Sequence, residues 1–187
     1  MRGPGLALCF VVVLRMLNPP LAGAGEDVVQ AQAETDWPVM IAQLRQQLQQ
    51  HPGHKTTRQQ LAIAHNNYAI SLTNQGRVGE AVQQLQQAIT LEPSNTQFRT
   101  NLARIHIQAA QVAYQAHQIQ EAKDAIARAL ALNPQEAAAY VLLGEIEYNS
   151  QRLKEAKAAW QQALAIDASL TDVAEKLERL KQELVTA

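Results

Sequence analysis

The sequence predicts an all-α fold, a solenoid of stacked helix–turn–helix units, and three observations carry that prediction. The first is composition. Hydrophobic residues make up 47% of the 187, yet the aromatics are only 2 Trp, 4 Tyr and 2 Phe, while Ala numbers 32 and Gln 25. Ala and Gln favour helices and are weak strand formers, which argues against a β-sandwich or barrel. The second is an internal repeat. Gly76-Arg77-Val78-Gly79-Glu80-Ala81, His117-Gln118-Ile119-Gln120-Glu121-Ala122 and Gln151-Arg152-Leu153-Lys154-Glu155-Ala156 each give a turn, an aliphatic residue and Glu-Ala. The third is punctuation. Pro52, Pro93 and Pro134 separate helix-patterned stretches, as expected of a residue that suits a first helical turn but not an interior. Basic residues number 16 and acidic residues 17, a balance that signals neither nucleic acid nor an anionic membrane surface.

The N-terminus is a different polymer. Met1 and Arg2 precede a nine-residue apolar run, Leu6 to Leu14 (LALCFVVVL), followed by Asn18-Pro19-Pro20 and Leu21-Ala22-Gly23-Ala24. Charge, apolar core, breaker and small-x-small is the layout of a secretory signal peptide, and the run is well short of the ~20 residues of a membrane span. We therefore expect a signal peptide over 1–24, a flexible linker over 25–34, and an exported protein, periplasmic or secreted. The alternative is an uncleaved signal that anchors the chain in the inner membrane by residues 6–14. The only cysteine, Cys9, sits inside the apolar run, too early for lipid attachment, and leaves the mature chain without a disulfide.

The expected solenoid covers 35–187. Residues 36–51 read as a half-repeat: Met40, Leu44 and Leu48 fall on one helical face, with Thr35 or Asp36 as N-cap and Pro38 in the first turn. Three repeats follow at about 55–94, 95–134 and 135–168. Small residues recur at the same three places in each: Ala69, Ala81 and Ala88; Ala110, Ala122 and Ala129; Gly144, Ala156 and Ala163. Leu85, Ile126 and Trp160 share one large apolar position, and Leu91, Leu132 and Ile166 end the second helices. From Pro52 to Pro93 and from Pro93 to Pro134 is 41 residues, whereas Ala122 to Ala156 is 34. Seven extra residues are about two helical turns, so two repeats have elongated first helices with little rotation of their apolar faces. In the second repeat that helix is expected from about Asn95 to Ala116. A capping helix over 170–185 closes the array. It places Val173, Leu177, Leu180 and Leu184 on one stripe and solvates the pairs Glu175–Arg179 and Glu178–Gln182.

These repeats resemble the tetratricopeptide repeat (TPR), a 34-residue unit with small residues at positions 8, 20 and 27, a large apolar residue at 24 and Pro at 32. A generic helix bundle would share the amphipathicity but not the recurrent small positions. Departures occur at position 4 (His65, His106, Tyr140), at position 7 (Tyr68, Ala109, Leu143) and at Ala168, where Pro is usual. The resemblance implies a right-handed superhelix whose first helices line a concave groove that binds a partner segment. Carried over by repeat position, the groove residues are Asn66, Ile70, Thr73 and Asn74, then Arg104, Ile107, Gln111 and Tyr114, then Val141, Glu145, Tyr148 and Asn149. Ile63, Gln115 and Ala138 complete the set. It is rich in amides, which can both donate to and accept from an extended backbone, and its tyrosines suit anchoring. The family's clamp for chaperone tails uses Lys, Asn and Arg where this chain has Asn66, Ile70, Gln108, Ala138 and Leu142, so that mode is not implied.

No catalytic residue, metal ligand or cofactor is expected. His51 and His54 flank a Pro-Gly turn without a third ligand nearby, and read as solvated loop residues. His65 and His106 occupy equivalent packing positions, and His117 sits in a turn. Glu80, Glu121 and Glu155 recur at one repeat position, as solvated or capping groups do. The expectation is a non-enzymatic interaction scaffold of the bacterial cell envelope with a protein or peptide partner, no nucleic acid, and membrane contact only if the signal is uncleaved. The alternatives are a membrane-tethered assembly factor and a non-catalytic subunit of an envelope enzyme complex.

Overall fold

The computed structural model describes residues 36–186, which form eight helices and no strand. The expected signal peptide at 1–24, linker at 25–34 and alternative anchor at 6–14 lie outside the described residues. In order the helices are α1 (Trp37–Gln50), α2 (Lys55–Asn74), α3 (Val78–Leu91), α4 (Thr96–Gln115), α5 (Ile119–Leu132), α6 (Ala137–Asn149), α7 (Leu153–Ile166) and α8 (Thr171–Thr186). Helices α2–α3, α4–α5 and α6–α7 are the three repeats, with α1 as the half-repeat and α8 as the cap. The first helices of the first two repeats are 20 residues long and that of the third is 13, the elongation expected from the spacing.

Local chemistry sets the boundaries. Asp36 caps α1, its carboxylate accepting the Val39 N–H at 3.2 Å, with Pro38 in the first turn. Asn95 caps α4 by accepting the Gln97 N–H at 3.0 Å. His54 also proves to be a cap: its Nδ1 accepts the Thr57 N–H at 3.3 Å, a role beyond that of a solvated loop residue. The turn inside every repeat is built alike. Arg77, Gln118 and Arg152 each donate their N–H back to a carbonyl five residues earlier, on Leu72, Ala113 and Glu147. The residue before each is left-handed: Gly76 at φ 75°, His117 at 61° and Gln151 at 61°. This is the Schellman closure, which glycine adopts freely and other residues adopt at a cost.

Packing is tightest at the nine small positions. All nine are buried, and the eight alanines among them are 0% exposed. In the third repeat the fit leaves no room for a methyl group. A Cβ on Gly144 would stand under 3.0 Å from Cδ1 and Nε1 of Trp160, whose indole N–H points to the Val141 carbonyl at 3.4 Å. The large residues Leu85, Ile126 and Trp160 fill the centre of each repeat, and Val173, Leu177 and Leu180 of α8 close over the Trp160 layer.

Between repeats, three of the polar bonds that join neighbouring first helices, with α8 as the last of these, share one spacing. Asn101 Nδ2 donates to Asn66 Oδ1 at 2.7 Å, Asn149 Nδ2 donates to the Tyr114 hydroxyl, and the Tyr148 hydroxyl donates to Glu183 Oε1 at 3.0 Å. In each bond the partners are 35 residues apart, so residue i lies beside residue i+35. The ends of α2 and α4, Asn74 and Gln115, are 41 apart. Thus α4 runs about six residues, ~9 Å, beyond the end of α2. Val112, on that overhang, is accordingly 58% exposed. The seven-residue insertion leaves the apolar face where it was but steps the second repeat along its axis.

Two substitutions test this packing. Gly144→Ala should lower stability by about 1–3 kcal/mol through overpacking against Trp160, whereas Gly79→Ala, with open space around it, should be neutral or slightly stabilising. Thermal melts of the pair check the contrast. Gln151→Gly should raise stability by about 1 kcal/mol by relieving the left-handed backbone, read as a higher denaturation midpoint at unchanged slope.

Candidate functional site

The twelve groove candidates do not form one continuous surface. Two clefts lie on the side of the first helices. The larger, about 700 Å³, lies among α4, the start of α6 and the α7–α8 turn. Thr100, Arg104, Ile107 and Gln111 form its α4 wall, one stripe at spacings of three and four. Opposite stand Glu136, Ala138, Val141, Leu142 and Glu145, and Ile166, Asp167 and Leu170 close its far end. Because α6 lacks two turns that α4 has, the turn 133–136 rather than another helical turn faces Thr100. The smaller cleft, about 270 Å³, holds Glu145, Tyr148, Asn149, Trp160, Lys176, Arg179 and Glu183. Glu145 borders both.

Of the candidates, Arg104, Ile107, Gln111, Val141 and Glu145 line the larger cleft, and Tyr148 and Asn149 the smaller. Tyr114 lines neither, but its hydroxyl accepts from Asn149. Tyr148 is likewise engaged, hydrogen-bonded to Glu183 and tilted against Trp160 with ring centroids 5.6 Å apart. The first repeat departs from expectation. Asn66 is only 8% exposed, and its amide is occupied by Asn67 and Asn101. It belongs to a relay in which Gln97 donates to Asn101, Asn101 to Asn66 and Asn66 to Asn67. Thr73 turns its hydroxyl back to the Ala69 carbonyl at 2.8 Å. Ile70 (39% exposed) and Asn74 are open, but they line neither cleft, and the axial step sets them level with about residues 105 and 109 rather than with their repeat equivalents Gln111 and Gln115. Equivalence of repeat position places residues on one wall only when the first helices end level.

Charge in the larger cleft is uneven. Arg104 Nε approaches Glu136 Oε1 at 3.9 Å, while the other Glu136 oxygen accepts from Asn133 at 2.9 Å. Lys176 neutralises Glu145 at 2.6 Å. Among the described residues Asp167 has no such cation: its Oδ1 accepts from the hydroxyl and N–H of Ser169 at 2.6 and 2.9 Å, which holds its carboxyl below the ordinary aspartate range. Sequence reasoning missed Thr100, Glu136, Ile166, Asp167 and Leu170, all contributed by helix ends and turns or by the inserted turns. It also missed Glu147, buried between Lys123 at 2.6 Å and Arg152 at 2.5 Å, which ties α5 to α6 and to the start of α7. Pairing complementary side chains one residue beyond a repeat length apart finds Asn66–Asn101, Tyr114–Asn149 and Tyr148–Glu183. Among the described residues, no group of three His, Cys, Asp or Glu could hold a metal ion, and no helix is long and apolar enough to cross a membrane.

Models of the tetratricopeptide repeat match residues 62–95 and 107–170, and the chain belongs to that family. The unmatched stretch between them, 96–106, contains the inserted turns of α4. Similar solved structures include the first TPR of Spaghetti (RPAP3) bound to the HSP90 peptide SRMEEVD, at 22% identity and TM-score 0.45 over 68% of this chain and 95% of that one. The Arabidopsis OM64 TPR domain is 18% identical with TM-score 0.45, over 67% and 98%. MamA is 18% identical with TM-score 0.43, over 82% of each chain. A comparison with curated proteins gives no match.

The histidines at repeat position 4 give the fold a pH dependence. His65 is 1% exposed, with Nδ1 2.7 Å from Gln84 Oε1. Burial pushes the imidazole below the ordinary 6.5, opposed by the Gln84 bond and assisted by Arg45. Burial, then Arg128, acts likewise on His106. Above pH 6.5 these rings are neutral in the folded and the unfolded chain, and they contribute no slope. Below it the unfolded chain takes up the proton first, so stability should fall with falling pH until the folded ring titrates. Urea midpoints from pH 8 to 5 should show this decline, shallower in His65→Gln than in wild type.

Proposed function

We propose that this protein is a non-enzymatic interaction scaffold that holds a partner segment in the cleft between α4, α6 and the α7–α8 turn. The observation that carries the reading is the convergence of Arg104, Ile107, Gln111, Val141 and Glu145, from two successive first helices, on one opening of about 700 Å³. Its floor is aliphatic and its walls carry donors and acceptors, the mixture by which a groove binds and orients a peptide. Membership of the repeat family supports the same reading. The Spaghetti structure contains a bound peptide, and so does the second TPR of human RPAP3, with the HSP70 peptide SGPTIEEVD. The charge pattern of the present cleft differs from what an acidic peptide needs.

The proposal extends to location. The signal-peptide-like start supports a location in the bacterial envelope after export, with residues 1–24 removed, 25–34 as a linker and 35–187 as the solenoid. Retention of the signal would make it a membrane-tethered assembly factor instead; a non-catalytic subunit of an envelope enzyme complex is the separate alternative.

Photocrosslinking tests the site. p-Benzoylphenylalanine at Gln111, on the cleft wall, should give a discrete adduct in cells, and the same group at Gln86, exposed on α3, should not. Equal adducts at the two positions, or none at Gln111, would reject the groove. Blotting the same cell fractions should find the protein soluble and about 2.5 kDa below its full-length mass.

A further inference from the structure

The charges around the larger cleft select its occupant. Resting on the proposed groove reading, we infer that the bound segment is aliphatic and basic: a short peptide that inserts one or two aliphatic side chains and sets Lys or Arg beside the carboxylates at the cleft rim. The aliphatic requirement comes from the floor, where Ile107, Val141, Leu142 and Leu170 converge without an aromatic ring. The basic requirement comes from the balance at the walls. Three carboxylates, Glu136, Glu145 and Asp167, line the cleft against one cation, Arg104. Lys176 offsets Glu145 from the side of the smaller cleft at 2.6 Å, and Arg104 approaches Glu136 no closer than 3.9 Å. Among the described residues, Asp167 keeps its charge with Ser169 as its side-chain partner and no cation. An incoming carboxylate would meet this excess of like charge and would have Arg104 alone to pair with. An incoming ammonium or guanidinium would find Asp167 uncompensated and Glu136 half-compensated. Such complementarity at a rim shifts encounter rate and partner choice more than it adds affinity, so it acts as a selector. The site is confined to the second and third repeats and the cap, since no residue of α2 lines it.

The experiment uses two labelled eight-residue probes that differ only in charge, Gly-Lys-Leu-Lys-Ile-Lys-Leu-Gly amide and its counterpart with Glu for Lys. Each is titrated by fluorescence anisotropy against the 25–187 chain at low and at physiological salt. The wild-type protein should bind the basic probe at least tenfold tighter at low salt, with the margin shrinking as salt is added. Arg104→Glu, at an exposed position with only a long ion pair to lose, should tighten the basic probe about three- to tenfold. Glu145→Gln, which frees the Lys176 cation, should weaken it by a similar factor. Val141→Asp should abolish binding of either probe; circular dichroism confirms that each variant is folded. A preference for the acidic probe that Val141→Asp abolishes would overturn the charge inference and leave the groove standing. Binding of either probe that ignores Val141→Asp, or no binding of either at millimolar concentration, would overturn both.

Discussion

Everything in this solenoid depends on how closely two helices can approach. The backbones of each repeat, and of each repeat and its successor, meet at nine positions where the side chain is a methyl group or a hydrogen atom. Interiors packed to crystal density cannot absorb an extra methylene there without moving a helix. Trp160 makes the point sharpest, since its indole occupies the space that a Cβ on Gly144 would need. The scarcity of aromatics follows from the same constraint. A stack this tight draws most of its buried apolar area from alanine and branched aliphatics, with leucine the commonest of the large ones.

Close approach fixes the distance between helices but not their axial position. Polar pairs decide that. Asn66–Asn101, Tyr114–Asn149 and Tyr148–Glu183 hold each first helix at a constant offset of 35 residues from the next, whatever the lengths of the helices. Arg58–Glu92 and Lys123–Glu147 add charged ties, within the first repeat and from α5 to α6. With the offset held, an insertion cannot be absorbed as a bulge and emerges as an overhang. The overhang of α4 exposes Val112 at one end. At the other it leaves Thr100 and Arg104 facing a turn instead of a helix, which opens the larger cleft.

The layout of the fold was readable because it rests on short-range signals. Small residues at fixed intervals, prolines between units and the four-residue stripe of Val173, Leu177, Leu180 and Leu184 each act within a few turns of helix. The elongation of α2 and α4 was readable from counting alone. The candidate site was only partly readable. Arg104, Ile107, Gln111, Val141 and Glu145 fall on one shared cleft because α4 and α6 end level. Asn66 is buried in a polar relay, Thr73 bonds back to its own helix, and Ile70 and Asn74 line neither cleft, because repeat equivalents in α2 and α4 are not level. The roles of Glu136 and Asp167 depend on which turn faces which helix, a long-range relation that no local pattern in the chain encodes.

The consequence for recognition is that length, and not only residue identity, tunes this groove. In an array of equal helices the first-helix faces align and a ligand can run along all of them. Here a two-turn insertion breaks the alignment between the first and second repeats, while the short α6 keeps it between the second repeat, the third and the cap. The break confines the shared wall to a stretch with three carboxylates and one arginine over an aliphatic floor. An extended ligand that needed contacts from every repeat would have to leave this wall, since no residue of α2 lines the cleft. A short segment need not. The same insertion that shapes the fold therefore limits both the length of what it can hold and the charge that it favours.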